Sequence, residues 1–267
     1  MKKVAIIGYG ALGKILAEVI QTKLSEQYAL AGVWSRSIEK HEEELSKRGI
    51  STYPSLEALL KDTADYVVEI AGVEAARAYG VQVLNAGKHL VLTSVGALAD
   101  DAFSAALKHA AMQSDKKVYV TSGAVGGFDI FQSIALMGNA VGRIETWKAP
   151  KGLAGAPGLA GRSISETEEE LVFDGTARDA IAAFPKNVNV AVASASASVG
   201  VDAMKTLITS CPGKSTNTHK ITVENDTVTA VLQVSSRPDA KNPKSSVVTA
   251  WSVAALLANL ASPIEFY

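Results

Sequence analysis

The sequence predicts an α/β protein: an N-terminal doubly wound parallel sheet, followed by a second α+β domain with a mixed or antiparallel sheet. Up to about residue 121, short unbroken apolar runs alternate with segments of helical period. Repeated β-α units of that kind build a parallel sheet with right-handed crossovers. Beyond that point the alternation stops. Two runs of alternating polarity then flank Glu224-Asn225-Asp226, a hairpin signal.

Val4 to Ile7 is continuously apolar, as a strand buried on both faces requires. Leu12 to Lys23 follows as a helix, with Leu12, Ile15, Leu16, Val19 and Ile20 in phase. Tyr28 to Trp34 reads as the second strand and Glu39 to Arg48 as a polar helix. Ser55 caps a helix from Leu56 to Lys61. Tyr66 to Ile70 is the third strand, and Glu74 to Ala86 a helix closed by Gly87. Leu90 to Thr93, the helix Asp101 to Gln113, and Val118 to Thr121 complete the pattern.

In the second half, Phe128 to Met137, Thr176 to Phe184 and Asn189 to Ser198 read as helices. Arg143 to Ala149, Lys220 to Val223 and Val228 to Val234 read as strands. Residues Lys151 to Ser165, rich in Gly, Ala and Pro, read as a loop. Ser246 to Leu260 is a long apolar helix. The expected division is residues 1–124 and 125–245, with the helix 246–260 returning to the first domain.

The 267 residues are 48% hydrophobic and 20% charged, enough apolar material for a sizeable core. A net charge of -1 provides no global field for nucleic acid or an anionic membrane, so neither is an expected partner. The one cysteine, Cys211, cannot form an internal disulfide, which fits a reducing compartment. It lies in the turn-like Ser210-Cys211-Pro212-Gly213 and reads as a small, partly buried residue rather than a nucleophile. The apolar run after Met1 is too short for a signal peptide, and no stretch reaches the ~18 apolar residues needed to span a bilayer. A cytoplasmic location is expected. No H-E-x-x-H or C-x-x-C occurs, and no metal is implied.

Gly8-Tyr9-Gly10-Ala11-Leu12-Gly13 fits G-x-G-x-x-G, directly after a predicted strand and at the start of a predicted helix. Gly8 permits the tight turn, Gly10 lets backbone approach a pyrophosphate, and Gly13 allows close helix–strand packing. With Ala11 and Leu12, these residues form the expected phosphate end of a Rossmann dinucleotide site, where helix N–H groups face the anion. The cofactor is then NAD or NADP. No carboxylate ends the second strand; Val33-Trp34-Ser35-Arg36-Ser37 stands there. Ser35 and Arg36 suit the 2′-phosphate of NADP, the alternative being an exposed basic loop.

Further strand ends carry polar and glycine residues where such sheets bind ligands. These are Glu69-Ile70-Ala71-Gly72, Thr93-Ser94-Val95-Gly96-Ala97-Leu98-Ala99-Asp100 and Ser122-Gly123-Ala124-Val125-Gly126-Gly127. Ala71 and Ser94 are therefore cofactor-binding candidates. Together with Phe184-Pro185-Lys186-Asn187-Val188-Asn189-Val190-Ala191 and Asn242-Pro243-Lys244-Ser245-Ser246, these segments resemble the L-aspartate dehydrogenase family from the first strand to the last helix. The resemblance implies oxidative deamination of L-aspartate to oxaloacetate and ammonia through iminoaspartate, which can also feed NAD biosynthesis. It implies cofactor contacts at Ala124 and Asn189, and a catalytic histidine at His219. The family's glycine- and phenylalanine-containing hairpin after that histidine is replaced by Glu224-Asn225-Asp226-Thr227-Val228.

Amine oxidation needs a hydride acceptor and a group that takes and returns protons as water adds to the imine. An unperturbed histidine, with a pKa of ~6.5, suits the second task. Of four histidines, His41 lies in a charged helix, His89 starts a strand and His109 sits on a crossover helix. His219 alone falls in the half expected to hold substrate; otherwise it is a surface histidine at a strand start. A dicarboxylate needs cationic or N–H partners. Lys148, Lys151, Arg162, Lys186 and Lys244 are available, and Lys186, Asn187 and Lys244 are the expected substrate-binding residues because they lie in matched motifs. Competing readings are a related Rossmann oxidoreductase, resembling homoserine dehydrogenase or dihydrodipicolinate reductase, and a non-catalytic nicotinamide-binding sensor. A homo-oligomer is expected, of a size the sequence does not set.

Overall fold

The computed structural model describes residues 1–185, 188–237 and 246–266. The chain forms two compact units, Met1–Thr121 with Thr249–Tyr267, and Ser122–Val248.

In the first unit, β1 (Lys2–Ile7), α1 (Ala11–Thr22), β2 (Tyr28–Trp34), α2 (Glu42–Lys47), α3 (Leu56–Lys61), β3 (Tyr66–Glu69), α4 (Val73–Asn85), β4 (His89–Leu92), α5 (Asp101–Ser114) and β5 (Val118–Val120) follow in order. The strands pair in parallel in the order β2-β1-β3-β4-β5. The chain therefore starts in the sheet, steps to one edge, and crosses back past β1. That reversal opens a crevice at the carboxyl ends of β1 and β3.

Ser55 accepts a hydrogen bond from the Ala58 amide and Asp100 one from Phe103, so α3 and α5 both begin on side-chain caps. One face of the sheet packs Leu16, Ile20 and Tyr28 with Val253 and Leu257 of the C-terminal helix. The other packs Leu59, Val83, Leu84, Phe103 and Leu107.

The second unit comprises α6 (Phe128–Met137), β6 (Val141–Lys148), α7 (Pro150–Leu153), β7 (Glu170–Thr176), α8 (Ala177–Ala183), α9 (Asn189–Ser196), β8 (Lys205–Ser210), β9 (Asn217–Glu224) and β10 (Thr229–Ser236), before α10 (Val248–Ala261) closes the chain. Its sheet runs β10-β9-β6-β8-β7, with β6 and β8 parallel and the other pairs antiparallel. Alternation along β6 sends Gly142, Ile144, Thr146 and Lys148 to the covered face. Val223, Ile221 and His219 of β9 stand opposite the first three of these. Thr206, Ile208 and Ser210 of β8 stand opposite the last three.

Three sequence expectations change. The helix Glu39 to Arg48 is a 3-10 turn, Ile38–His41, followed by α2, because His41 leaves helical geometry with φ of -121°. The supposed loop after Lys151 contains α7 and a 3-10 turn, Pro157–Leu159, each started by proline and buried through Leu153 and Leu159. Strands β7 and β8 were not predicted at all. Glu170, Asp174 and Gly175 in β7 are poor strand formers, and that strand holds the edge of the sheet.

The Tyr28 hydroxyl donates to the Leu257 carbonyl over 2.8 Å, a buried tie between the second strand and the last helix. Tyr28→Phe leaves that carbonyl without its donor. It is expected to lower unfolding free energy by about 1–2 kcal/mol, read from urea denaturation.

Candidate functional site

The crevice of the first unit is built by a strand that ends in glycines. Gly8 has φ of +111°, a conformation costly for any other residue. A Cβ on Gly13 would stand 2.2 Å from the Gly8 carbonyl oxygen, so α1 approaches β1 at backbone contact. Gly10 caps α1 and has open space where its side chain would be. The result is a cavity of about 250 Å³. Gly8, Tyr9, Gly10, Ile70 and Ala71 form one wall; Trp34, Ser35, Arg36, Ser37, His41 and Tyr79 form another.

Glu69 ends β3 wholly inside the protein, 1% exposed. Its Oε1 accepts from the Ala71 amide (2.8 Å), the Gly72 amide (2.9 Å) and the Ser94 hydroxyl (2.9 Å), and its Oε2 from the Ser94 amide (3.0 Å). Burial pushes its carboxyl up, and these four hydrogen bonds pull it back only in part. The carboxylate ties the loop after β3 to the start of the segment after β4. Ala71 in turn lies against Gly8, 2.9 Å from where a Cβ would stand.

In the second unit the covered sheet face carries polar groups among apolar ones. Thr146 Oγ1 lies 2.9 Å from His219 Nδ1 across the β6–β9 pair. His219 is 4% and Lys148 5% exposed. Burial, reinforced by the Lys148 charge, lowers His219 to about 3. Burial alone lowers Lys148 to about 8. At neutral pH the histidine is therefore neutral and the lysine still charged. Ser210, beside Lys148 in the β6–β8 register, has a buried hydroxyl with no hydrogen-bond partner among the described residues.

Of the expected cofactor residues, Gly8, Gly10, Ser35, Arg36 and Ala71 meet in the first-unit cavity. Gly13 shapes it from behind. Ala11 and Leu12 open α1 but are not among its walls, and Ser94 is held by Glu69 instead. Ala124, 8% exposed within the Ser122–Val125 turn, and Asn189, the first residue of α9, belong to the second unit. Lys186, Asn187 and Lys244 lie outside the described residues.

His41, expected on a solvated helix, is a cavity wall, edge-on to Tyr9. His219 is no surface histidine, and its depressed pKa departs from the ~6.5 expected at sequence level. Cys211 is buried and donates to a Glu169 carboxylate oxygen at 3.3 Å; burial first, and then that carboxylate, raise its thiol to about 11, unlike a nucleophile. Sequence reading passed over Glu69 as an inward scaffold, and gave Lys148 no preference among the lysines. The signal for Lys148 was present: it continues the phase of Gly142, Ile144 and Thr146, the face that packs inward.

Known proteins match along the whole chain. Residues 129–260 match the family described as "Aspartate dehydrogenase, C-terminal", and residues 8–121 "Homoserine dehydrogenase, NAD binding domain". An L-aspartate dehydrogenase of Methanosarcina barkeri is 36% identical, with 99% of each chain covered. One from Methanocaldococcus jannaschii is 28% identical over the same share. The crystal structure of an aspartate dehydrogenase from Thermotoga maritima superposes with a TM-score of 0.78, at 26% identity and full coverage of both chains. A hyperthermophilic archaeal homoserine dehydrogenase in complex with NADPH, at 13% identity and a TM-score of 0.58, shares the fold.

Glu69→Gln gives the four donors an amide that cannot accept at both ends. It is expected to cost about 1–3 kcal/mol in urea denaturation and to weaken dinucleotide binding, measured by fluorescence titration. His219 makes stability depend on acid. Its folded pKa lies below the unfolded value, so the unfolded chain binds the extra proton, and stability falls as pH drops from about 6.5 toward 3. Between pH 6.5 and 5 this amounts to about 2 kcal/mol, which His219→Gln is expected to abolish in denaturant titrations at the two pH values.

Proposed function

Because the chain belongs to the L-aspartate dehydrogenase family, we propose that it converts L-aspartate, water and NAD(P)+ to oxaloacetate, ammonia and NAD(P)H, reversibly and through iminoaspartate. The observation that carries this is the match of the substrate-holding half, residues 129–260, to the aspartate dehydrogenase C-terminal family. It speaks against the homoserine dehydrogenase alternative, whose likeness is confined to the first-half family match and to fold.

The first-unit cavity fits a dinucleotide: glycine backbone where a pyrophosphate needs close approach, and a buried Ser35 hydroxyl without a partner among the described residues. Gly8, Gly10 and the first turn of α1 would hold the phosphates, and Ser35 and Arg36 the adenosine ribose. Among the described residues its walls contain no acidic side chain, which supports NADP being accepted at least as well as NAD. Ala71, Ser94, Ala124 and Asn189 complete the proposed cofactor contacts, and the first unit, Met1–Thr121 with Thr249–Tyr267, is the proposed dinucleotide-binding domain. The nicotinamide, when bound, supplies the hydride acceptor.

His219, in the substrate domain 125–245, handles the proton. Thr146 holds Nδ1, which leaves Nε2 for exchange. Neutral at working pH, it takes a proton from the water that adds to the imine carbon and returns it to the departing nitrogen. Lys186, Asn187 and Lys244 are proposed to contact the substrate.

Among the described residues no helix is long and apolar enough to cross a membrane. The free Cys211 thiol supports a cytoplasmic location. The chain is proposed to form a homo-oligomer.

Purified protein with oxaloacetate, ammonium and NADPH or NADH is expected to lose absorbance at the reduced-nicotinamide band, with kcat/KM for NADP at least equal to that for NAD. His219→Ala is expected to lower kcat at least 100-fold and leave cofactor Kd within twofold. A kcat within threefold of the unaltered enzyme removes His219 from the chemistry.

A further inference from the structure

Two kinds of side chain line the cavity of the first unit. Trp34 and Tyr79, packed edge to face at 5.2 Å, are aromatic. Ser35, Arg36, Ser37 and His41 are polar or basic, and His41 is the one that comes from beyond the loop after β2.

His41 joins the wall through a break in the chain. Ile38 and Leu45, three residues before it and four after, are both buried in the core. Between them the 3-10 turn Ile38–His41 gives way to α2, and His41 takes φ of -121° and ψ of 2°. Both flanks are anchored, so the half-buried imidazole has a defined place. Tyr9, inside the glycine turn and 2% exposed, meets the ring edge-on at 5.4 Å and steadies it. The same aromatic contact links the imidazole to the turn expected to hold the pyrophosphate.

The charges around this ring favour an anion. Glu44 of α2 faces it, with Oε2 3.9 Å from Nδ1, beyond hydrogen-bond distance. That carboxylate is already shared. Lys14 of α1 donates to the same oxygen at 2.5 Å, and Arg48 lies 3.8 Å from the other. The Lys14 hydrogen bond holds Glu44 below the usual carboxylate range, so it stays charged and committed to its cations. Arg36 adds a cation on the wall itself. The Ser35 hydroxyl is buried and has no hydrogen-bond partner among the described residues.

We propose that His41 is the residue that distinguishes NADP from NAD: with Arg36 and Ser35 it binds the phosphate on the adenosine ribose. A ribose phosphate carries about two negative charges and offers three acceptor oxygens. A guanidinium, an imidazole N–H and a hydroxyl supply donors for all three. The plain ribose of NAD brings no charge to this wall, so the imidazole acts on the phosphorylated cofactor alone. This inference rests on the dinucleotide reading of the cavity. It extends that reading to a residue that sequence alone places on a solvated helix.

Calorimetric titration of the full chain with NADPH and NADH, without substrate, tests it. His41→Ala is expected to raise the Kd for NADPH at least tenfold and to leave that for NADH within about twofold. The fragments 2′,5′-ADP and 5′-AMP differ only in the ribose phosphate. The unaltered chain is expected to bind the first at least tenfold tighter, and His41→Ala to close that gap to about threefold. Where the alanine variant fails to fold, His41→Gln is read in its place, with the same selective loss of NADPH expected. A variant that weakens both dinucleotides by the same factor overturns the assignment, since the ring then serves the wall and not the phosphate. So does a folded variant whose Kd for NADPH stays within threefold, or an unaltered chain that binds 5′-AMP as tightly as 2′,5′-ADP. Failure of both dinucleotides to bind at millimolar levels would instead sink the reading of the cavity itself.

Discussion

No side chain fits between the Gly8 carbonyl and the Cα of Gly13, and the cofactor crevice depends on that. A methyl group at Gly13 would lie 2.2 Å from the oxygen. Without it, α1 reaches the end of β1 at backbone contact, and the turn between them can adopt the positive φ of Gly8. A helix N-terminus then opens at the point where the order of strands reverses. The same wall is held in place by Glu69. A single inward carboxylate gathers two loops by four hydrogen bonds, and it places Ala71 against the glycine turn. The crevice is thus made of backbone held by a buried charge, which gives it a rigidity that surface loops lack.

The second unit uses burial differently. Its sheet face is apolar at Ile144, Ile221, Ile208 and Val223, yet admits Thr146, His219, Lys148 and Ser210 toward one end. Removing these groups from water has a direct chemical effect. It makes the imidazole neutral and brings the ammonium close to its titration range. Groups adjusted in this way are suited to exchanging protons and meeting anions, which the proposed chemistry requires.

The chain's return also has a physical cause. Helix α10 is apolar around most of its circumference, with Ala250, Val253, Ala254 and Leu257 buried. It takes its place in the first unit's core through Tyr28 and the surrounding aliphatic residues. A helix so apolar has to be covered, and the parallel sheet's open face provides the cover.

The sequence by itself determined the class of fold, the β-α rhythm of the first 121 residues and the glycine turn. Those features are local: period, cap and backbone conformation are written in neighbouring residues such as Val4 to Ile7, Ser55 and Gly8. It did not determine strand β7, the break at His41, the inward turn of Glu69 or the company of Lys148. Each of these depends on residues far apart in the chain. β7 is a strand because β8 pairs with it, and Glu69 is buried because Ser94 and the loop after β3 close over it. His219 is neutral because burial and a lysine 71 positions earlier make charging it costly. Register and desolvation are properties of the assembled sheet, so only the tertiary structure could decide which of several lysines and histidines share one buried face.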